Sequence, residues 1–413
     1  MSSVPERSEI DEEYTWALES MFADLAAWED AYEQAEELID VVASYEGRAT
    51  DDAETVLAVL EDYEQLMRTV SNVHSYARMR RDEDTRDDDA QGLVTRAQSL
   101  SADASSAASF LDPEIQSLDR ETVDEMIEEE PELAEYDHYF DDVLRMKAHT
   151  RSPEVEALLA DLGEVMGSPG EVYTMLANAD MTFPTVEDPD SEAQSASDRS
   201  SGDGKPRDGE AVEITLNNFT TLQKRQNRTF RKDVYEAFYD EWDTVHNAVS
   251  TAYEKSVKTD SKLAKARNYE TAREASLDGP NIPVEVYDTL VETVRDNFGP
   301  LHRHAELKRQ HTEGENLRMW DLYVPLTETE SPEVTYEQAR EHIVEALAPL
   351  GEEYQSRVRA GLDSRWVDVY ETRGKQSGAY SGGTYDSQPF ILMNYQDDVE
   401  SMYTLAHELG HSM

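Results

Sequence analysis

The chain has 413 residues, no cysteine, and 90 acidic against 37 basic side chains, a formal charge of −53 over a 38% hydrophobic background. Such a charge repels nucleic acid phosphates and anionic membrane surfaces, which excludes both as partners. There is no disulfide framework, no charged start followed by an apolar run, and no apolar stretch approaching about 18 residues, so the expectation is a soluble cytoplasmic protein.

Met21, Leu25, Trp28, Tyr32, Ala35, Ile39 and Val42 are spaced alternately by four and three, which predicts a long helix with one apolar seam. Val56, Leu60, Tyr63, Met67, Val70, His74 and Ala77 repeat the pattern, and a third helix is expected over Leu93 to Leu111, ending before Asp112-Pro113. Three consecutive antiparallel helices are the natural packing. His74 lies on a seam and reads as a core histidine rather than a ligand. The run Asp82-Glu83-Asp84-Thr85-Arg86-Asp87-Asp88-Asp89 reads as a solvated connection.

A second helical stretch runs from about Glu121 to Met166, broken near Pro131 and Pro153, and Met181 to Val186 looks extended. From Asp188 to Glu210 the chain is rich in Ser, Asp and Gly with hardly an apolar side chain, so it cannot offset its own ordering entropy and reads as a disordered surface insertion. Val212 to Leu216 resumes as a strand that pairs with the segment before the insertion.

Long helices are expected over Phe219 to Arg267, Val284 to His311 and Tyr336 to Leu362, with Met319 to Val324 extended between the last two. His302, His304 and His311 fall on a basic amphipathic helix and read as surface or satisfied polar groups, not a metal site. Trp366 to Glu371 alternates like a strand. Gly374 to Tyr385 is a glycine-rich loop without the spacing or helix of a phosphate-binding loop. Its glycines let a peptide backbone approach closely, beside an edge strand, Phe390 to Tyr395, that supplies main-chain hydrogen bonds; a plain hairpin is the alternative.

Asp397-Asp398-Val399-Glu400 offers a capping box, so a helix is expected from about Asp398 with Val399, Met402, Tyr403 and Ala406 as its buried stripe. On that helix His407 and His411 lie four residues apart and share a face, so both imidazoles can reach one metal ion. Neutral imidazoles bind Zn²⁺ and leave a position open for water, and the adjacent carboxylate of Glu408 can take that water's proton as it attacks a carbonyl.

Ser377-Gly378-Ala379-Tyr380, Thr384-Tyr385-Asp386-Ser387, Leu392-Met393-Asn394-Tyr395 and His407-Glu408-Leu409-Gly410-His411 together closely resemble oligoendopeptidase F of the thimet-oligopeptidase-like zinc peptidases. The likeness extends upstream through Asp180-Met181-Thr182-Phe183-Pro184, Asn281 to Tyr287 and Leu322 to Leu326. The resemblance implies a mainly α fold, a clam-like body of long antiparallel helices with a small β-sheet beside the motif helix, and a deep channel that admits short unstructured peptides. It implies an N-terminal helical domain over 1–180, a β-hairpin over 181–216 carrying the acidic insertion at 188–210, and a catalytic metallopeptidase domain over 217–413.

By the same resemblance His407 and His411 are ligands of one zinc ion and Glu408 is the base. Gly378, Tyr380, Gly382, Gly383, Asn394 and Tyr395 bind substrate. The family's third zinc ligand and its transition-state residues fall beyond Met413, so the expectation is a C-terminally truncated zinc endopeptidase for oligopeptides that needs the missing segment, either covalently attached or as a separately encoded C-terminal fragment. The alternative is an inactive remnant that binds peptides without hydrolysing them. The acidic, arginine-over-lysine composition resembles that of salt-adapted archaeal proteins and predicts loss of structure in dilute buffer.

Overall fold

The computed structural model describes residues 4–189, 210–312, 316–326 and 332–413. Helices α1 (Leu25–Ala43), α2 (Ala53–Glu83) and α3 (Asp88–Ala107) form a consecutive three-helix bundle. Each begins at an aspartate, Asp24, Asp52 or Asp87, whose carboxylate accepts the backbone N–H of Ala27, Thr55 or Ala90. A carboxylate there both fills an orphan donor and meets the positive end of the helix dipole. Met21 lies in the turn before this cap and not on the helix it was expected to open. Trp28, Val42, Val59, Leu66 and Val73 are fully buried between the helices, and the buried alanines Ala35, Ala97 and Ala104 let the backbones approach. The Trp28 indole donates to the Val73 carbonyl at 3.0 Å, so the ring is buried with its polar atom satisfied.

The third helix stops at Ala107, short of the expected Leu111, and Asp112 and Pro113 sit inside a short helix α4 (Leu111–Ile115). Proline is tolerated there because N–H groups of a first turn have no partner within the helix. The acidic stretch after Arg81, expected to be solvated, is partly core: α2 runs through Glu83, and Asp82 and Glu83 are only 2% and 6% exposed. Arginines explain the reversal. Arg81 pairs with Asp82 at 2.7 Å, and Arg7 and Arg80 pair with Glu83 at 2.7 and 2.5 Å, so the buried carboxylates keep charged partners.

Helices α5 (Arg120–Glu129), α6 (Asp137–Arg145), α7 (Pro153–Asp161) and α8 (Gly163–Thr174) follow, with breaks before Pro131 and Pro153. Strands β1 (Thr185–Asp188) and β2 (Glu210–Glu213) pair antiparallel with Val186 opposite Val212, the hairpin expected around the insertion. Residues 190–209 of that insertion, read as disordered, lie outside the described residues. Next come α9 (Phe219–Leu222), the 39-residue α10 (Arg228–Ala266), α11 (Ala272–Asp278), α12 (Val284–Asp296) and α13 (Phe298–His311). Met319 to Val324 was expected to be extended but begins as a 3-10 turn over Met319–Asp321. Asp321 curls it, since this fully buried carboxylate accepts from the Arg318 backbone N–H and pairs with Arg228 at 2.9 Å and Arg231 at 3.0 Å.

Helices α14 (Tyr336–Ala346) and α15 (Glu352–Asp363) lead into a three-stranded sheet of β3 (Val367–Tyr370), β4 (Tyr380–Gly382) and β5 (Phe390–Tyr395), closed by α16 (Val399–Ser412). The strand order is β3-β5-β4, with β3 parallel and β4 antiparallel to β5. The expected edge strand, Phe390 to Tyr395, is therefore the centre of the sheet, and among the described residues β3 and β4 are its edges. The reason lies in the alternation of β5. Phe390 and Leu392 enter the core of the N-terminal bundle, while Ile391, Met393 and Tyr395 enter a second core with α14, α15 and α16. A strand buried on both faces reads as a continuous apolar run and needs a partner on each side. No helix among the described residues is long and apolar enough to cross a membrane.

Candidate active site

Helix α16 carries the His-Glu-x-x-His motif. Its N-cap is Asp398, one residue beyond the acidic cap expected at Asp397, and the carboxylate accepts the Ser401 N–H at 2.8 Å. Asp397 instead turns the chain, with φ at 52°, and its carbonyl accepts the Val334 N–H. Burial pushes the Asp398 carboxyl up, but the Ser401 N–H and Lys224 outweigh it and hold its pKa below the ordinary carboxylate value. The buried stripe of the helix is Ser401, Leu405, Glu408 and Leu409. Val399, Met402 and Ala406, expected to form the buried stripe, pack at its margin and are only partly buried, and Tyr403 is 68% exposed. The apolar positions admit two phases about one residue apart, and the Leu405–Leu409 pair selects the one that puts Tyr403 outside.

With Leu409 facing in, His407 and His411 face out. Their Nε2 atoms converge to 3.1 Å, with the ring planes at 84°. Glu408 is buried to 8% exposure and lines a cleft of about 770 Å³ together with His411 and Ser412. The opposite wall is the β4 edge and following loop of the sheet, Tyr380 to Tyr385, with Ser71 of α2. Ser412 donates to the Glu408 carbonyl at 3.1 Å and its Oγ lies 2.9 Å from the Ser381 Oγ, which fixes the last turn of α16 against β4.

Gly382 and Gly383 continue β4 along the cleft. Gly383 has φ at 133°, and a Cβ there would meet the Gln388 carbonyl at 3.0 Å and the Ser387 Oγ at 3.1 Å, so the bend requires glycine. Tyr380 lines the cleft with its ring, but its hydroxyl is committed to Asp82 at 2.8 Å and Arg78 sits 4.8 Å over the ring.

Residues 221–413 match Peptidase family M3, and residues 114–183 match Oligopeptidase F. Oligopeptidase PepF of Bacillus subtilis is 37% identical over the whole chain, which covers 59% of that protein. Group B oligopeptidase PepB of Streptococcus agalactiae is 35% identical over 98% of the chain and 65% of its own length. The crystal structure of oligoendopeptidase-F from Enterococcus faecium superposes on 81% of the chain and 60% of its own at a TM-score of 0.67 and 32% identity. The chain belongs to the oligoendopeptidase F group of peptidase family M3. It spans about 60% of the length of these relatives.

Family M3 implies a zinc ion, and the histidine pair fits one. Their ring nitrogens lie 3.1 Å apart on one face of the helix, and two neutral imidazoles are a donor set that zinc accepts, so these residues would hold it. Among the described residues no group of three or more His, Cys, Asp or Glu side chains is placed to hold a metal. His302 and His304 are exposed on α13, and the His311 ring nitrogen is bonded to the Leu307 carbonyl.

The remaining oligoendopeptidase F positions separate into three groups. Tyr380, Gly382, Gly383, Glu408 and His411 share the cleft, with His407 one turn back along the helix. Gly378 and Asn394 line a smaller neighbouring cavity and brace the loop: the Gly378 N–H donates to Asn217, and the Asn394 amide donates to the carbonyls of Gly378 and Gln376. Tyr395 is buried in the core and donates its hydroxyl to the Val334 carbonyl at 3.0 Å, so it is not placed to touch a peptide. Sequence reasoning missed Ser71, which reaches the cleft from a helix more than 300 positions upstream and carries no local signal. Ser381 and Ser412 were also missed, for serines are common and only their pairing marks them.

Proposed function

We propose that this chain supplies the zinc-binding helix and the peptide-binding wall of an oligopeptide-hydrolysing metallopeptidase. The observation that carries the reading is the convergence of the His407 and His411 Nε2 atoms beside Glu408, on a cleft whose far wall is a strand edge with no strand partner among the described residues. His407 and His411 would hold the metal ion. When bound, zinc supplies Lewis acidity that polarises a carbonyl oxygen and acidifies a water.

The chain's own residues do the rest. Among the described residues strand β4 has a sheet neighbour on one side only, so an extended peptide can pair with its other side, and Gly382 and Gly383 bring the two backbones close without side-chain interference. Glu408 is the nearest carboxylate in sequence to the metal ligands and lines the cleft, where it accepts the proton of the attacking water and returns it to the leaving amine nitrogen. Its partial burial keeps bulk water from competing for that proton.

The test is zinc titration by calorimetry together with cleavage of an internally quenched nonapeptide. One zinc ion per chain should bind and be lost when His407 and His411 are both replaced by alanine. Glu408→Gln should keep the zinc and lose turnover by at least about a hundredfold. Turnover that survives Glu408→Gln would rule out the role given to this carboxylate, and zinc binding that survives loss of both histidines would rule out the site.

A further inference from the structure

Beside the cleft a second groove of about 560 Å³ opens between α2, the segment Tyr136–Tyr139 and the loop after β4. The two are continuous, since Ser71, Thr384 and Tyr385 line both. We propose that this groove is a specificity subsite that receives one bulky apolar or aromatic side chain of a peptide laid along β4. The inference rests on the peptide-hydrolase reading above and adds the side-chain chemistry that the reading leaves open.

The lining selects such a side chain. Met67, Tyr63, Tyr136 and Tyr139 present a thioether and ring surfaces. Two of the hydroxyls are already used: Tyr136 donates to Glu64 and Tyr139 to Asp112, each at 3.0 Å. The charged groups at the rim already have partners. Arg68 pairs with Asp386 and with Glu64, and its guanidinium lies 4.6 Å over the Tyr385 ring, so the one cation at the rim is engaged twice over and is not offered to an acidic side chain. A pocket lined mainly by apolar surface discriminates by burial of apolar area. Position agrees with this. In an extended peptide alternate side chains lie about 7 Å apart on one face, so a residue that passes the end of β4 at Gly382 comes over Thr384 and Tyr385 at the mouth of the groove.

The half-buried state of Tyr63 and Met67 also gains a reason. Both lie on the predicted seam of α2, yet they are only partly covered while Leu60 and Leu66 are sealed in the bundle core. The seam is wider than the bundle needs, and its surplus faces the groove.

The experiment uses the full chain carrying Glu408→Gln, so that peptides are bound and not turned over. Fluorescein-labelled alanine–serine nonapeptides with a single phenylalanine moved through each position are titrated by anisotropy. One register of phenylalanine should bind about tenfold or more tighter than the parent peptide. Adding Met67→Asp should cut that advantage to below about threefold. Tyr385→Ala, at an exposed loop tip where folding is not at stake, should lower the advantage in the same direction. Parent binding with no phenylalanine preference, or a preference that survives both substitutions, overturns the subsite alone. No binding by any peptide overturns the peptide-binding reading together with it.

Discussion

The hydroxyl of Tyr380, on the β4 edge of the sheet, donates a 2.8 Å hydrogen bond to Asp82, 298 positions away at the end of α2. Burial foremost, with the neighbouring Asp82 carboxylate, pushes the Tyr380 phenol well above its ordinary pKa, so it remains a donor at any working pH. The bond ties the strand that faces the histidines to the N-terminal bundle. Tyr380→Phe should lower stability by about 1 kcal/mol and weaken peptide binding about threefold or more, with zinc stoichiometry unchanged. Equal peptide affinity in the variant, measured by anisotropy, would show that β4 does not depend on this tether.

Gly383 makes a sharper local test. Its φ of 133° and the 3.0 Å approach of the Gln388 carbonyl leave no room for a methyl group. Gly383→Ala should cost about 1–3 kcal/mol in the loop and reduce peptide affinity, while the two-histidine zinc site on α16 is untouched. Zinc calorimetry beside peptide titration separates the two effects, and a variant that binds peptide normally would remove Gly383 from the peptide wall.

Asp368 on β3 is buried among Lys375 at 2.6 Å and Arg7 at 2.7 Å. Burial raises its pKa, but Lys375 and Arg7 more than reverse that and hold it below the ordinary carboxylate value. A folded-state pKa below the unfolded one stabilises above the unfolded pKa of about 3.9, and the contribution is lost as pH falls through the folded value. Asp368→Asn strands the Lys375 ammonium and should cost about 3–5 kcal/mol at neutral pH, with the difference from the parent protein narrowing below about pH 4. Denaturant midpoints at pH 7 and pH 3.5 measure both, and a gap that is unchanged between them would mean that the carboxylate is not ionised in the folded state.

What was legible in the sequence was what local periodicity encodes. The seams of α1 and α2, the hairpin around the insertion, the run Phe390 to Tyr395 and the helix under His407 and His411 all declare themselves within a dozen residues. What was not legible depends on partners far along the chain. Asp82 and Glu83 look solvated until Arg7 and Tyr380, 76 and 298 positions away, are placed beside them. The strand of Phe390 looks like an edge until the short β4 is found covering it, and β4 at three residues has too little pattern to announce itself. Tyr403 was expected on the buried side of α16, but Leu405 takes that side and joins the core that α14 and α15 form with β5.

The charge of −53 sets the conditions in which any of these measurements can be made. On α1, Glu33, Glu36, Glu37 and Asp40 are all exposed, and Glu33 with Glu37 and Glu36 with Asp40 stand at i,i+4, where like charges destabilise a helix by about 0.2–0.5 kcal/mol per pair. Arg96 reaches this helix but pairs with Glu29, outside that cluster. The repulsion is therefore repeated along the surface, and salt acts on it directly. The Debye length falls from about 10 Å at 0.1 M to about 3 Å at 1 M, shorter than the spacing of neighbouring carboxylates on a helix. Raising KCl from 0.1 to 2 M should raise the melting temperature by roughly 10 °C or more, and sodium sulfate should do so at lower concentration because it also strengthens apolar burial. Replacing Glu36 and Glu37 together by lysine should shift the salt midpoint downward. A melting curve that is cooperative at 0.1 M KCl and unmoved at 2 M would show that the surface charge is already tolerated without screening.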